Sequence, residues 1–464
     1  STMLDEQLTD VARSAMWDSW SNHRRDRRAL DTVREYVKGR AGIPDLEDGA
    51  SEELEQIARQ SVINMCRVVL DTFDSGLQVV GYRSPSAQDN EPAWELWQES
   101  NMDSRQSVVH RSALAYRDGF VSVLPDDAAN GRPRMASWSA RFVRAEYDDP
   151  ARDLFPQSAM LLRSVRDPKL GRGWSVLMLD DMTVQPGFIP RRKGADERSV
   201  VLTGPAWNHG ATYNGSPVCP VVRFVNVLDV DDDDRPVEGG EIEPLITKQR
   251  ALNSVNFDRL VNSRFNAFQQ MVIIGWAGSK SEILRLSASR ALAFADAPGD
   301  VTVQKLTASP LDPYNQLIRE IKEEFALEAS IPLYTATGSF NNVSTDTAAM
   351  VEKAHQRKLG RKRASFGESW ELALNLAVTM AGGEPPSQSA EVIWAETEAR
   401  SFAQVVDGIV KLASIPDGGI PVEEMLDLLP GMTQQRMDAI RVALRHQRAT
   451  APSVLDRLVP PTVP

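Results

Sequence analysis

Ile331-Pro-Leu-Tyr-Thr-Ala-Thr-Gly-Ser-Phe-Asn-Asn-Val-Ser344 parts two helical segments. Pro332 and Gly338 interrupt any regular helix here, and small polar residues fill the rest. After it, Ser344 or Thr345 caps a helix that runs to about Ala381, where Gly382-Gly383 stops it. At 1.5 Å per residue this rod measures about 55 Å, more than one small domain usually holds. Before it, a helix covers 312–329, with Leu317, Ile318, Ile321, Phe325 and Leu327 as its apolar side.

Working outward, an insert at 277–308 holds a short helix at Lys280–Leu286 and strands at Ala291–Ala295 and Val301–Leu306. Pro298-Gly299-Asp300 is the expected turn between the two strands. The insert comes after another long helix, 241–274, with Pro244 in its first turn and a length of roughly 45 Å. The polar face of that helix carries Lys248, Arg250, Asp258, Arg259 and Arg264.

The first 240 residues read as helices and then sheet. Helices are expected at 3–41, 51–74, 91–100 and 103–117; Leu8, Val11, Met16, Trp17 and Trp20 mark the first. Strands are expected at Phe120–Leu124, Trp138–Tyr147, Ala159–Val165, Trp174–Leu179, Ser199–Leu202 and Val221–Val227, with turns at Asn130-Gly131 and Asn214-Gly215. The run Arg24-Arg25-Asp26-Arg27-Arg28 is a solvated face, a salt-bridging face between subunits, or a nucleic-acid patch. At the other end, a returning strand at 390–395 precedes helices at 398–413, 421–429 and 433–447, and a proline-rich, mobile tail.

Composition bounds the function. With 464 residues the chain exceeds a single compact core. Its 52 Lys and Arg against 64 Asp and Glu give a net charge of −12, which argues against gripping nucleic acid over the whole surface. An acidic wall can still let DNA slide past. Cys66 and Cys219 form no ligand cluster with the five histidines, so neither a metal nor a cofactor is expected, and a reducing compartment fits. The first residues lack the pattern of a signal peptide, and no apolar run is long enough to span a membrane. The Asn342-Val343-Ser344 sequon is expected to be silent. Asp229 to Asp234 holds five aspartates, read as a solvated loop or a cation site, without the register of a calcium loop.

Catalytic signatures are missing. The chain has no Walker loop, dinucleotide fingerprint, zinc-protease motif or nucleophile elbow. Gly275-Trp-Ala-Gly-Ser-Lys280 has the wrong spacing for a phosphate loop, and helix rather than strand precedes it. His110, His209 and His355 read as surface histidines, and Glu323 and Glu324 as a solvated helix face. No catalytic role is assigned.

Residues 240–381 resemble the portal proteins of long-tailed bacteriophages, especially those of actinobacterial hosts. The resemblance rests on Glu241-Ile-Glu-Pro-Leu-Ile, Phe257-Asp-Arg-Leu-Val, Phe265-Asn-Ala-Phe, Ile331-Pro-Leu-Tyr, Ser344-Thr-Asp-Thr-Ala-Ala and Phe366-Gly-Glu-Ser-Trp-Glu. It implies an α+β, predominantly helical portal-type fold. The wing would be 1–240, the stem helices 241–276 and 309–330, and the small α/β clip 277–308. The tunnel loop would be 331–344, the long wing helix with its returning strand 345–397, and the helical crown 398–448, before a tail at 449–464. It further implies a ring, usually of twelve subunits, that conducts double-stranded DNA without catalysis. Terminase, a head-completion adaptor, and major capsid and scaffold proteins would be its partners. The chain would sit at the capsid portal vertex, and in the host cytoplasm during assembly. Thr335, Thr337, Ser339, Phe340, Asn341 and Asn342 would face DNA from the loop; Lys248, Arg250, Arg259 and Arg264 would be the channel candidates on the stem. Another helical virion assembly or adaptor protein, or a cytoplasmic enzyme with an unrecognised site, are the alternatives.

Overall fold

The computed structural model describes residues 2–83, 91–126, 131–227, 230, 239–267, 271–274, 291–294, 302–305, 310–338, 345–395, 411 and 434–450. Ten helices over these residues are labelled α1 (Thr2–Val37), α2 (Glu52–Gln60), α3 (Met65–Ser75), α4 (Glu91–Glu99), α5 (Met102–Tyr116), α6 (Ile246–Ala267), α7 (Asp312–Ala329), α8 (Leu333–Thr337), α9 (Thr345–Met380) and α10 (Gln434–Thr450).

The α+β region of residues 1–240, with α9 packed against it, is built in four layers, and period-two burial explains why. Strands β2 (Asp118–Pro125) and β3 (Pro133–Ser139) form an antiparallel sheet with β12 (Val221–Val225), in the order β12-β2-β3. Val121, Val123, Val222 and Phe224 point to a core shared with α3, α5 and α9. Phe120 and Val221 point the other way, onto a second sheet. That sheet orders β4 (Val143–Glu146), β5 (Ser158–Asp167), β6 (Gly171–Leu179), β7 (Thr183–Pro190) and β8 (Val201–Leu202), all antiparallel, with β9 (Trp207–Asn208) also pairing β7. Its Ala159, Leu161, Leu179 and Val184 meet the first sheet. Its Met160, Leu162, Val176 and Ile189 meet Met16 of α1. Gly187 on β7 makes that last approach possible, because a Cβ there would lie 2.4 Å from the Met16 sulfur.

Helix α9 threads this core. Leu359, Phe366, Trp370, Ala373, Leu374 and Ala377 recur every three or four residues and are at most 1% exposed. Hydroxyls tie it to the neighbouring strand: Ser365 and Ser369 donate to the carbonyls of Val225 and Arg223 at 3.1 and 2.8 Å. Arg363 donates to the carbonyls of Gly76 and Ala395. The returning strand β16 (Glu391–Trp394) pairs with β1 (Val79–Arg83), a strand the sequence reading did not include.

Several boundaries differ from expectation. The helix expected at 51–74 is broken at 61–64, where Asn64 caps α3. The helix expected at 241–274 ends at Ala267, and Met271–Ile274 is strand β13. Strands β14 (Ala291–Phe294) and β15 (Thr302–Lys305) do not pair with each other; they flank β13, parallel and antiparallel respectively. The apolar Met-Val-Ile-Ile run takes the centre of this small sheet, the position with partners on both sides. The helices expected at 280–286 and 421–429, most of 398–413, the aspartate run apart from Val230, and the tail beyond Thr450 lie outside the described residues; Ala449 and Thr450, expected in the tail, continue α10. No helix among the described residues is long and apolar enough to cross a membrane, and they hold no metal-ligating cluster. Cys66 and Cys219 are free and buried; burial pushes the Cys66 thiol up to about 12.

Glu371 on α9 supplies a pH test. Burial, with Glu368 and Glu391 nearby, raises its carboxyl from 4.5 to about 7, although the Val392 N–H donates to it. A raised carboxyl stabilises the fold fully below pH 4.5 and loses that contribution as pH climbs through 7. Glu371→Gln keeps the acceptor and should stabilise the chain by about 1–2 kcal/mol at pH 8, with little effect at pH 4.5. Urea melts at the two pH values check this, and equal shifts at both would contradict it.

Candidate functional site

Helices α6 and α7 form an antiparallel pair. Lys248 near the start of α6 reaches Glu324 at 2.9 Å and Glu328 at 3.5 Å near the end of α7. Further along, Arg259 donates to Asn315 at 3.0 Å. The other two expected stem cations point elsewhere: Arg250 donates to the Tyr36 hydroxyl at 2.7 Å, and Arg264 pairs with Glu53 at 2.9 Å. So the four divide between two faces of α6, and each is engaged within the chain. Leu317 and Leu327, expected on the apolar side of α7, are 43% and 58% exposed, while Ile318 and Phe325 are buried.

A third set of α6 side chains was not foreseen. Gln249, Asn253 and Asn256, at i, i+4 and i+7, are buried amides. Gln249 accepts from the N–H groups of Met65 and Cys66 and donates to the Ile63 carbonyl. Asn253 accepts from Ile63 N–H and donates to Gly42 O, and Asn256 donates to Ser61 O. These amides satisfy the backbone groups left open by the break between α2 and α3. Scanning for apolar periodicity passes over such a polar stripe.

Where α6 begins, it meets α9 in a buried ion cluster. Glu241 receives Lys362 at 2.6 Å and Lys358 at 2.5 Å, and Lys362 also donates to Asn226 at 2.6 Å. Asn226 in turn donates to Glu241 at 3.0 Å. Both ammonium groups lie 5.3 Å from the Phe73 ring. Burial works to raise the Glu241 carboxyl, but Lys362 and Lys358 outweigh it and hold it below the usual range. Burial lowers Lys362, and Glu241 opposes that. Lys358 has one more contact, donating to the Ala329 carbonyl at the C-terminus of α7. One residue of α9 therefore fastens the start of α6 and the end of α7. The geometry is tight around Gly240, where a Cβ would sit 2.3 Å from the Ala115 carbonyl oxygen.

The broken segment after α7 is partly helical, against expectation: α8 spans Leu333–Thr337. Thr335 and Thr337 donate their hydroxyls to the carbonyls of Pro332 and Leu333, so those protons serve the turn itself. Ala336 is buried. Ser339, Phe340, Asn341 and Asn342 lie outside the described residues. Beside this turn, the His355 ring lies 5.0 Å from the Phe73 ring, tilted by 39°, and contacts the Ser330 carbonyl through Nδ1 at 3.0 Å.

His110, His209 and His355 are all buried, which corrects the surface reading. His110 is fully enclosed, accepts from Trp370 Nε1 at 2.9 Å, and is driven by burial down to about 3 against the pull of the Leu77 backbone. His209 contacts the Asp180 carbonyl. None is joined to a carboxylate and nucleophile in the way acid–base catalysis requires. Within Arg24–Arg28, Arg27 lies over Phe142 and Trp174, and Arg24, Arg25 and Arg28 stay exposed.

Comparison with known proteins assigns this architecture. The family model described as phage portal protein, SPP1 Gp6-like, matches residues 18–449. The portal protein of Mycobacterium phage D29 is 31% identical over 448 residues, covering 90% of this chain and 85% of the relative. That of Mycobacterium phage L5 is 22% identical over 429 residues, covering 86% and 82%. A solved chain from the neck of an empty GTA particle, computed with C6 symmetry, overlays 81% of this chain and 90% of its own at a TM-score of 0.39 and 11% identity. That fit is too loose to carry weight. The family model and the D29 relative decide the matter: the chain belongs to the SPP1 Gp6-like phage portal proteins, subunits of the capsid's portal vertex.

Proposed function

We propose that copies of this chain close into a ring, twelve by the number the resemblance implies, whose channel conducts double-stranded DNA during packaging, retention and ejection. The match along residues 18–449 carries this reading. Its shape agrees with the role: the α6/α7 pair is fastened at one end to a rod embedded in the wing, and at the other it leads to the small sheet of β13, β14 and β15. In this reading the sheet is the clip that meets terminase and then the head-completion adaptor, and the wing meets the major capsid and scaffold proteins. The crown lies beyond β16. Assembly takes place in the host cytoplasm, and the chain itself hydrolyses nothing.

A net charge of −12 keeps DNA from sticking, while a few cations per subunit guide it. Lys248, Arg250, Arg259 and Arg264 are the guiding cations proposed on α6. From the loop, Ser339, Phe340, Asn341 and Asn342 are the proposed DNA contacts, with Thr335 and Thr337 holding its base. Removing 339–342, which spares buried Ala336, should leave ring assembly intact and abolish DNA packaging or retention. Normal packaging by that deletion would remove the loop assignment. Native mass measurement and negative-stain images test the ring. The expected particle holds about a dozen chains of 51.3 kDa around a central hole. A monomer or dimer at every salt and protein concentration would overturn the reading.

A further inference from the structure

We propose that α1 supplies both halves of the contact between neighbouring copies: a basic, aromatic ridge on one side seats in a carboxylate-lined cleft that the other side of α1 helps to wall in the next copy. This rests on the ring reading above.

The ridge consists of Trp17, Trp20, Arg24, Arg25 and Arg28, around a shallow hollow of about 220 Å³. The two indoles stand 4.9 Å apart, and the Arg24 guanidinium lies 5.4 Å from the Trp20 ring. Arg24, Arg25 and Arg28 are exposed. Arg25 bonds the Asn22 amide oxygen, and neither it nor Arg28 meets a carboxylate among the described residues. In a chain of net charge −12, three neighbouring cations thus stand without anions among the described residues.

The cleft, about 950 Å³, is the larger feature. Asp26, Leu30 and Val33 of α1 form one wall, Asp118 and Phe120 another, and Glu241, Glu243 and Glu328 the floor. Its own cations are already engaged: Arg117 by Asp118, Arg144 by Asp26 and Glu146, and Lys358 by Glu241. Buried His23 contacts the Arg141 carbonyl. Anionic capacity remains. One carboxylate oxygen of Asp118 meets no donor but is enclosed, so an open anion of the cleft is Glu243. Glu243 is exposed and has no ion pair among the described residues.

The two features lie on opposite sides of one helix. At 3.6 residues per turn, positions 17, 20, 24, 25 and 28 centre roughly 160° from positions 23, 26, 30 and 33. A closed head-to-tail ring needs two different, complementary patches facing away from each other. Arginine beside an aromatic face suits such a contact, because the guanidinium stacks and still presents its fork to a carboxylate. Double-stranded DNA fits the ridge less well, since exposed Asp18 flanks the row of cations.

Two variants of the full chain test this. Arg24→Glu/Arg25→Glu/Arg28→Glu should keep the wild-type melting temperature, because those side chains are exposed, and lose at least tenfold in ring fraction by native mass spectrometry. Arg28→Cys/Glu243→Cys, oxidised, should give a ladder of disulfide-linked oligomers, with buried Cys66 and Cys219 silent. Wild-type rings together with no ladder, or with full ring formation by the triple variant, would overturn the proposal. A triple variant that assembles normally but no longer shifts double-stranded DNA in a gel would make the ridge a nucleic-acid contact and overturn it too. Failure of the wild type to form rings would instead overturn the ring reading, and this contact with it.

Discussion

Replacing Glu241 by Ala should cost about 3–5 kcal/mol, because it leaves Lys362, with a side chain 3% exposed, buried without its anion. The second lysine, Lys358, keeps its Ala329 carbonyl and a 29% exposed side chain, so it can turn toward water. Lys362 can only lose its proton or drag water into the core. The pH dependence has the sign usual for a carboxylate. Glu241 sits below its ordinary value of 4.5, so its contribution is complete above that pH and is lost as pH falls through the folded value. Urea unfolding at pH 7 should show the full deficit, and the wild type should approach the variant as acid is added. Glu241→Ala/Lys362→Met should recover much of the loss, since removing both charges removes the orphan. A single variant as stable as wild type at pH 7 would mean the cluster contributes nothing.

Trp370→Ala should cost a similar amount, about 3–5 kcal/mol. The indole is fully buried, packs edge-on against Trp97 and Phe224 at 4.7 Å, and donates to His110 Nε2 at 2.9 Å. Truncation opens a cavity and strands a buried imidazole acceptor. Trp370→Phe should cost less, and adding His110→Leu to it should cost less than the two single changes summed. Strict additivity in that cycle would show that the indole–imidazole bond is worth nothing. Both Trp370 variants fall in the buried core, so they should lower stability before they alter any ring.

How legible each element was in the sequence depends on whether its causes are local. The bounds of α7 coincide with the expected 312–329 because Pro313 opens the helix and Pro332 bars its continuation. Strands β2, β5 and β12 were visible through β-branched residues and alternation. Strand β7 was not, since Pro186, Gly187 and Pro190 contradict strand propensity, and only pairing with β6 and β8 makes it one. Strand β1 depends on β16 from the far end of the chain, a pairing no local window contains. Where α9 meets the start of α6, the sequence assigned Lys358 and Lys362 no role, since a lysine is solvated by default. Their partner Glu241 is remote in sequence, so the cluster became visible only once the chain was folded. The amide stripe of α6 was hidden for a related reason: buried Asn and Gln carry no apolar signature.

The long helix α9 is unevenly supported. Its first buried residue among those described is His355; before it, Met350 is 72% exposed, and the buried stripe begins beyond it. Of the described side chains before His355, Met350, Lys353 and Ala354 are exposed and Glu352 is half-buried, so this turn runs ahead of a clamped remainder. In mechanical terms α9 is a cantilever. A sideways load at the exposed Met350 is not absorbed there. It arrives at Lys358 and Lys362 as torque, at the place where both α6 and α7 are anchored.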